Sequence, residues 1–549
     1  MKLKWFHYII TAFIVISSIK IAISLFRSSP WIVWDELAYI DIGEKIFHGK
    51  LVIIGDVPYT HPYPAGYSYF IAPAFLLGDI GRVYHGMLAI NCILSSLIIF
   101  PAYLVSRNFL EEKESILLAI AITILPAITL HNFSTMSENA FIPLFLLSAW
   151  FIMKSFLGKI RGYKKIILDI ITGFSIIFLI LIKATSIAMF LALIFLFIYK
   201  ILKEKSFSII KEKILVIIPF IASIPIAFYM LSTENTLLGY DSILYLDRVF
   251  SIFKDASSLF SFVKVFINEL NYYFLASYFV FMVFTIFIFI YWKKLEKERQ
   301  EKLFIFCFYT LLSTLFLILI TDIHIYGTHE IYTRYVSPTL PSFFILGTIG
   351  LKIYRKEMNY KSSFYVAIIF LIIFSIFLIF FPIQNYKLVN NLDIYFIDMA
   401  SNKFLTAAGI ISFFMLLCSL VLLLFLSFLY FKPKIIVVLI ISMLVSLIIT
   451  APILQKEFGY SLGKKEDNKI IEWLCEHDVN KIAIEKNLKD TIGERIIKEK
   501  LIFWWRGEIT YVSIENVSNN VHYFISQKNY VDQYPIVITY NSWKLYEIK

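Results

Sequence analysis

The chain is 549 residues long, 59% hydrophobic, 18% aromatic and only 17% charged, with a mean hydropathy of +0.76. That balance belongs to polytopic membrane proteins and excludes an ordinary soluble enzyme. The formal net charge of +11 suggests nucleic acid in a soluble protein, but here the basic residues are sorted into short segments between apolar runs, which excludes that partner.

Apolar runs of roughly 18 to 25 residues recur along the chain, about 13 in all, each long enough to cross a bilayer core. The first, about residues 8–26, reads as a retained helix rather than a signal peptide, because no A-x-A-like site follows it and many further runs do. With the N-terminus inside, alternation puts "MKLK", "RNFLEEKE", "KSFLGKIRGYKK", "KILKEKSFSIIKEK", "WKKLEKERQEK", "KIYRKEMNYK" and "KPK" on the cytoplasmic side. Roughly half of all Lys and Arg fall there, as the positive-inside rule requires. An odd number of spans then leaves the C-terminus outside.

The first long outer segment, residues 27–84, contains "RSSPWIVWDELAYIDIG". Residues 35–48 have the spacing of a short helix on the membrane surface. Asp41, Glu44, Lys45 and His48 form its polar face, and Tyr39, Ile42 and Ile46 line another together with Asp35. Trp31 and Trp34 suit the headgroup level. Paired carboxylates such as Asp35 and Glu36 are costly at that depth. Asp35 is either an N-cap of the helix or a base toward a hydroxyl, and one role does not exclude the other.

Farther along, "TMSENAFIPLFLLSAW" places Glu138 at the start of the fourth span, where first-turn capping is its plainer role. Lys183 in "LILIKATSI" either snorkels to the headgroups or points inward. A large outer loop covers residues 232–269, and a later one holds "EIYTRYVSPTLP", with Arg334 and Tyr335. Arg82 and Arg334 bind either ordinary anionic lipid or a substrate phosphate. Residues 1–454 form the membrane portion. The tail, 455–549, reads as a small external mixed α/β domain, with a helix in "NKIIEWLCEH" and strands in "NKIAIEK", "VHYFISQ", "PIVITY" and "WKLYEIK". Cys92, Cys307 and Cys418 lie inside spans and Cys475 is alone in the tail, so neither a disulfide framework nor a thiolate metal site is expected.

Taken in order, Asp35–Glu36, "THPYPAGYSYF", "GRVYHG", "TMSENA" and "EIYTRYVSPTLP" resemble the GT-C superfamily of polytopic glycosyltransferases. The nearest likeness is to dolichyl-phosphate-mannose protein mannosyltransferases and bacterial lipid A aminoarabinose transferases, and it spans most of residues 1–350. The family's Asp-Glu pair is matched by Asp35 and Glu36, its "THP" by Thr60, His61 and Pro62, and its basic residue before the second span by Arg82. Its acidic residue in the second outer loop is matched by Glu138, and its "RY…P" element by Arg334, Tyr335 and Pro341.

The resemblance implies a GT-C fold and inverting transfer of a sugar from a polyprenyl- or dolichyl-phosphate donor to a hydroxyl of a protein, lipid or glycan, on the extracytoplasmic face of the cell membrane. Asp35, Glu36 and Glu138 are then the catalytic candidates. Arg82, Lys183 and Arg334 would hold the donor phosphate, and Tyr39, His61, Tyr63 and Tyr335 would contact substrate. No cofactor is required by this reading. A divalent cation among His48, His61, His85, His131, His324 and His329 with Asp35 and Glu138 stays open, although the spacings match no metal motif.

The tail's "FWWRGEI" is similar to the WWDYG element of oligosaccharyltransferases, but Arg506 stands where that element has aspartate. Trp504 and Trp505 are therefore expected to be packing residues, and no sequon recognition is assigned. The alternatives to an enzyme are a transporter or lipid flippase, and an inactive lipid or sugar binder. A transporter should carry charges or breaks at mid-span in both halves. Here the charges sit at outer span ends and in outer loops.

Overall fold

A computed structural model describes residues 2–30, 33–55, 63–158, 160–222, 247–277, 280–324, 332–357, 462, 468–488, 491, 497–513, 521–530 and 534–548. Trp31, His61, His329, Cys418 and the spans expected beyond residue 357 lie outside them, as do residues 232–246 of the expected 232–269 loop; from residue 247 on, that segment is mostly helical rather than loop. Among the described residues, seven helices are long and apolar enough to cross a membrane. An eighth candidate, Glu112–Thr123 with Ala127–Phe133, is bent by 56°.

The chain opens with α1 (Lys2–Ser24) and then α2 (Val33–Phe47), the short helix expected in the first loop. It begins two residues earlier than its sequence pattern suggested. Asp35 and Glu36 therefore stand in its first turn rather than at its cap. After a two-residue ribbon pairing Ile54–Gly55 with Tyr63–Pro64, α3 (Ile80–Ser96) starts on Asp79, whose carboxylate caps Gly81 and Arg82. Then come α4 (Glu138–Phe156), α5 (Tyr163–Ile182) and α6 (Ile187–Glu204). Between α5 and α6 the chain breaks at Lys183, whose extended backbone (φ −152°, ψ 125°) and a single 3-10 turn, Ala184–Ser186, place this residue between two spans.

Helices α7 (Ala256–Ala276), α8 (Val280–Ile290), α9 (Lys297–His324) and α10 (Leu340–Glu357) complete the described bundle. The spans are apolar all round, so burial within the bundle is set by small and polar contact residues rather than by amphipathic stripes. Gly347 and Gly350 of α10 are the sharpest case: a Cβ there would lie 2.4 Å from the Phe281 carbonyl and 1.9 Å from the Phe284 carbonyl of α8. On the opposite side of the bundle from the first loop, Lys213 joins α4 to α5, donating to the Ser155 carbonyl at 2.5 Å and pairing with Asp169 at 2.9 Å.

The C-terminal domain holds α11 (Lys469–Glu476) and five strands: β1 (Lys481–Glu485), β2 (Glu508–Val512), β3 (Tyr523–Ser526), β4 (Ile536–Tyr540) and β5 (Trp543–Glu547). The sheet order is β2-β1-β3-β5-β4, with β1 parallel to β2 and β3 and the rest antiparallel. Four strands and the helix follow the sequence pattern. Strand β2 was missed because "EITYV" overlaps the "FWWRGEI" stretch read as a motif. Trp504 and Trp505 are buried, as expected of packing residues, in a π-type helical turn, Leu501–Trp505.

Candidate functional site: two ion pairs around Tyr335

Four charges from distant parts of the chain meet where α2, α4, the α5–α6 break and the turn before α10 come together. Arg334 Nη1 lies 2.6 Å from Asp35 Oδ2, and Lys183 Nζ lies 2.6 Å from Glu138 Oε1. The Tyr335 ring sits between the cations, 4.6 Å from Lys183 Nζ and 4.9 Å from the Arg334 guanidinium carbon, close enough for cation–π attraction to both. Of the four side chains Asp35 is the most open, at 17% exposure, against 8% for Arg334, 7% for Lys183 and 1% for Glu138.

Each side chain is fixed by its own local structure. Arg334 lies on a one-turn helix, Thr333–Val336, that runs through Ser337–Thr339 into α10. Tyr273 of α7 donates to the Val336 carbonyl at 2.5 Å, and Thr314 of α9 donates to Thr339 at 2.9 Å, so two spans hold that turn. Asp35 accepts from the Tyr63 hydroxyl at 2.7 Å. Burial, and then the adjacent Asp35 charge, push the Tyr63 hydroxyl far above its ordinary pKa, so it remains a donor. Tyr39 packs edge-on between Tyr63 and Tyr67, with centroids 5.2 and 4.9 Å away.

Glu36 has a different environment from its neighbour. It is fully buried, and its Oε2 accepts from the Tyr84 hydroxyl at 2.8 Å, the Thr135 amide at 2.8 Å and the Thr135 hydroxyl at 3.0 Å. A carboxylate so occupied ties α2 to α3 and to the loop before α4. That loop is itself stitched: Asn139 donates to the carbonyls of His131, Ser134 and Met136, and Asn91 donates to Ser134. Both ring nitrogens of His131, both amide atoms of Asn132 and the Nε of Arg334 are buried without a hydrogen-bond partner among the described residues. Buried polar atoms of this kind call for a ligand or water.

The structure brings together Asp35, Glu138, Lys183, Arg334, Tyr39, Tyr63 and Tyr335. It does not bring Arg82, whose side chain is exposed on the first turn of α3. His61 lies outside the described residues. Asp35 stands inside the first turn of α2 and bonds side chains there, Glu138 stands in the first turn of α4 as expected and also pairs with a lysine, and Lys183 is buried rather than snorkelled. Among the described residues no three His, Cys, Asp or Glu side chains gather as metal ligands would. Tyr84, Thr135, Asn91 and Asn139 were not singled out from the sequence. A signal for two of them exists in "RVYHGMLAIN", where Tyr84, Met87, Leu88 and Asn91 share one helical face.

No family model matches the chain, and no curated protein sequence matches it. Among solved structures, the chain is similar to ArnT from Cupriavidus metallidurans in the apo state, with a TM-score of 0.55 and 12% identity over 98% of this chain and 97% of that one. The same ArnT bound to undecaprenyl phosphate gives the same values. The oligosaccharyltransferase of Archaeoglobus fulgidus, in complex with Zn and sulfate, gives a TM-score of 0.38 and 15% identity over 69% of this chain and 53% of that one. The ArnT likeness covers both the helical portion and the C-terminal sheet domain, and it shows the fold that the sequence resemblance implied.

Proposed function

We propose that the protein is a membrane glycosyltransferase that moves a sugar from a polyprenyl-phosphate donor to an acceptor hydroxyl at the outer face, with inversion. The observation that carries this reading is the part-exposed Asp35 carboxylate held 2.6 Å from Arg334, with the Lys183–Glu138 pair across Tyr335. The undecaprenyl phosphate bound to the ArnT of the same fold supports a lipid phosphate as the ligand class.

In the step we propose, the acceptor oxygen bonds the anomeric carbon while the bond from that carbon to the phosphate oxygen breaks. The hydroxyl proton passes to Asp35, and the phosphate leaves with the electron pair. Arg334 and Lys183 stabilise the charge growing on the phosphate. Because Asp35 now shares Arg334, the arriving phosphate takes over that guanidinium and leaves Asp35 bonded to Tyr63 alone among the described partners. Glu138 holds Lys183 in place through their ion pair, and Glu36 positions α2 rather than touching substrate. His131, Asn132 and Arg334 Nε, which have no hydrogen-bond partner among the described residues, are placed to bond the sugar or its phosphate.

The test is transfer from a labelled undecaprenyl-phosphate sugar in detergent. Asp35→Asn should lower turnover by ~10²–10⁴-fold, the usual contribution of a general base. A loss under about tenfold removes Asp35 from that role. A wild-type chain that transfers nothing, yet moves the labelled lipid across vesicle bilayers, is a flippase instead.

A further inference from the structure

The C-terminal domain reaches back to α2 through one side chain that the proposed reaction does not use. Arg506 follows the Leu501–Trp505 turn with a left-handed backbone (φ 63°), and it is followed by Gly507, where any Cβ would lie 2.2 Å from the Trp505 ring. This reversal throws the guanidinium away from its own domain. Its Nη2 donates to Asp41 Oδ1 at 2.8 Å and to Glu44 Oε2, and its Nε donates to Glu44 Oε2 at 3.2 Å. Both carboxylates lie on α2, about two turns beyond Asp35. Against the pull of burial, Asp41 and Glu44 hold the guanidinium above its ordinary pKa, so the fork stays charged.

A second contact from the same turn lands on the other partner of α2. The Phe503 ring meets Tyr84 edge-on, 5.5 Å between centroids, and the Tyr84 hydroxyl donates to Glu36. Trp504 packs beside Gly81 on the first turn of α3. The C-terminal domain thus holds α2 at its first turn through Tyr84 and near its end through Arg506. Two fixed points determine both the tilt of a short helix and its rotation about its own axis, and rotation is what aims Asp35.

Resting on the glycosyltransferase reading, we propose that Arg506 is a positioning residue of the transfer reaction: through Asp41 and Glu44 it fixes the roll of α2 and so the aim of Asp35 toward Arg334. A misplacement of about 1 Å in a reacting group costs up to ~10²-fold in rate. The role of Arg506 is therefore in turnover and not in affinity for the lipid carrier, which Arg334 and Lys183 hold from other elements.

The experiment compares wild type, Arg506→Gln, Arg506→Lys, Glu44→Gln and the double variant Glu44→Gln/Arg506→Gln as full-length chains. Three quantities are read: transfer turnover, affinity for undecaprenyl phosphate, and hydrogen exchange across residues 33–47. Arg506→Gln should lose roughly 10- to 10²-fold in turnover, speed exchange in α2, and keep carrier affinity within about threefold. Arg506→Lys should fall between it and wild type, since an ammonium keeps the charge but not the fork. The double variant should be no worse than Arg506→Gln alone, because both remove one interaction. Turnover and exchange within twofold of wild type, or losses that add, overturn the proposal. If wild type transfers nothing, the functional reading fails by itself, and faster α2 exchange in Arg506→Gln still supports the clamp while unchanged exchange overturns it.

Discussion

Lys183 and Glu138 form a pair taken almost wholly out of water, and such pairs are costly to break because the survivor is left charged and alone. Glu138→Gln should therefore destabilise the bundle by about 3–5 kcal/mol, read as a fall in melting temperature in detergent. Glu138→Gln/Lys183→Met removes both charges and should recover most of that stability, yet should not recover transfer, since Lys183 is assigned to the phosphate. Recovery of both would make the pair structural only. Arg334 meets different demands: it donates to Asp35 at 2.6 Å and to the Tyr335 hydroxyl at 3.2 Å while lying over that ring. A lysine offers neither the planar face nor the fork, so Arg334→Lys should lower turnover more than tenfold at unchanged folding.

At the scale of elements, the α8–α10 contact has no room for a side chain at Gly350, 1.9 Å from the Phe284 carbonyl as a Cβ would stand. Gly350→Val must push the helices apart, and a cost of about 1–3 kcal/mol is expected from overpacking, measured as lost thermal stability. In the C-terminal sheet, buried Glu485 accepts from Ser526 at 2.5 Å, Lys528 at 2.6 Å and Tyr530 at 3.0 Å. Burial alone would raise its pKa, but these hydrogen bonds prevail and hold it below the ordinary carboxylate range. The folded state then binds fewer protons than the unfolded one between the two values, so this contribution is complete above the unfolded pKa and disappears as pH falls through the depressed folded one. Glu485→Gln should flatten that acid-side loss, seen as hydrogen exchange of residues 481–485 at low pH. These elements were largely legible beforehand because spans, strands and the α2 helix are written in hydrophobic runs and periods. The start of α2 was not, since it is held by Thr135, 99 positions away, and strand β2 lay hidden in the stretch read as a motif.

For the molecule as a whole, the touch between Arg506 and α2 joins the first loop to the C-terminal domain. That contact supports the expectation from the sequence that both lie on one side, with an odd number of spans. Basic residues then choose which side that is. In a cysteine-free background, Leu51→Cys and Ser542→Cys should react with a membrane-impermeant maleimide in intact cells, and Lys205→Cys only after permeabilisation; the reverse pattern inverts the topology. The four charges of the candidate site were legible as residues but not as pairs. Asp35, Glu138, Lys183 and Arg334 stand out as charges at span ends, whereas which cation meets which carboxylate depends on bundle geometry across separations as long as 299 positions. Outside the site, the described residues hold a longer separation still, the 465 positions between Asp41 and Arg506. Residue 506 must leave the ribosome before this bond can close, so the helix bearing Asp35 gains this support only after the described spans that precede it in the chain have been made.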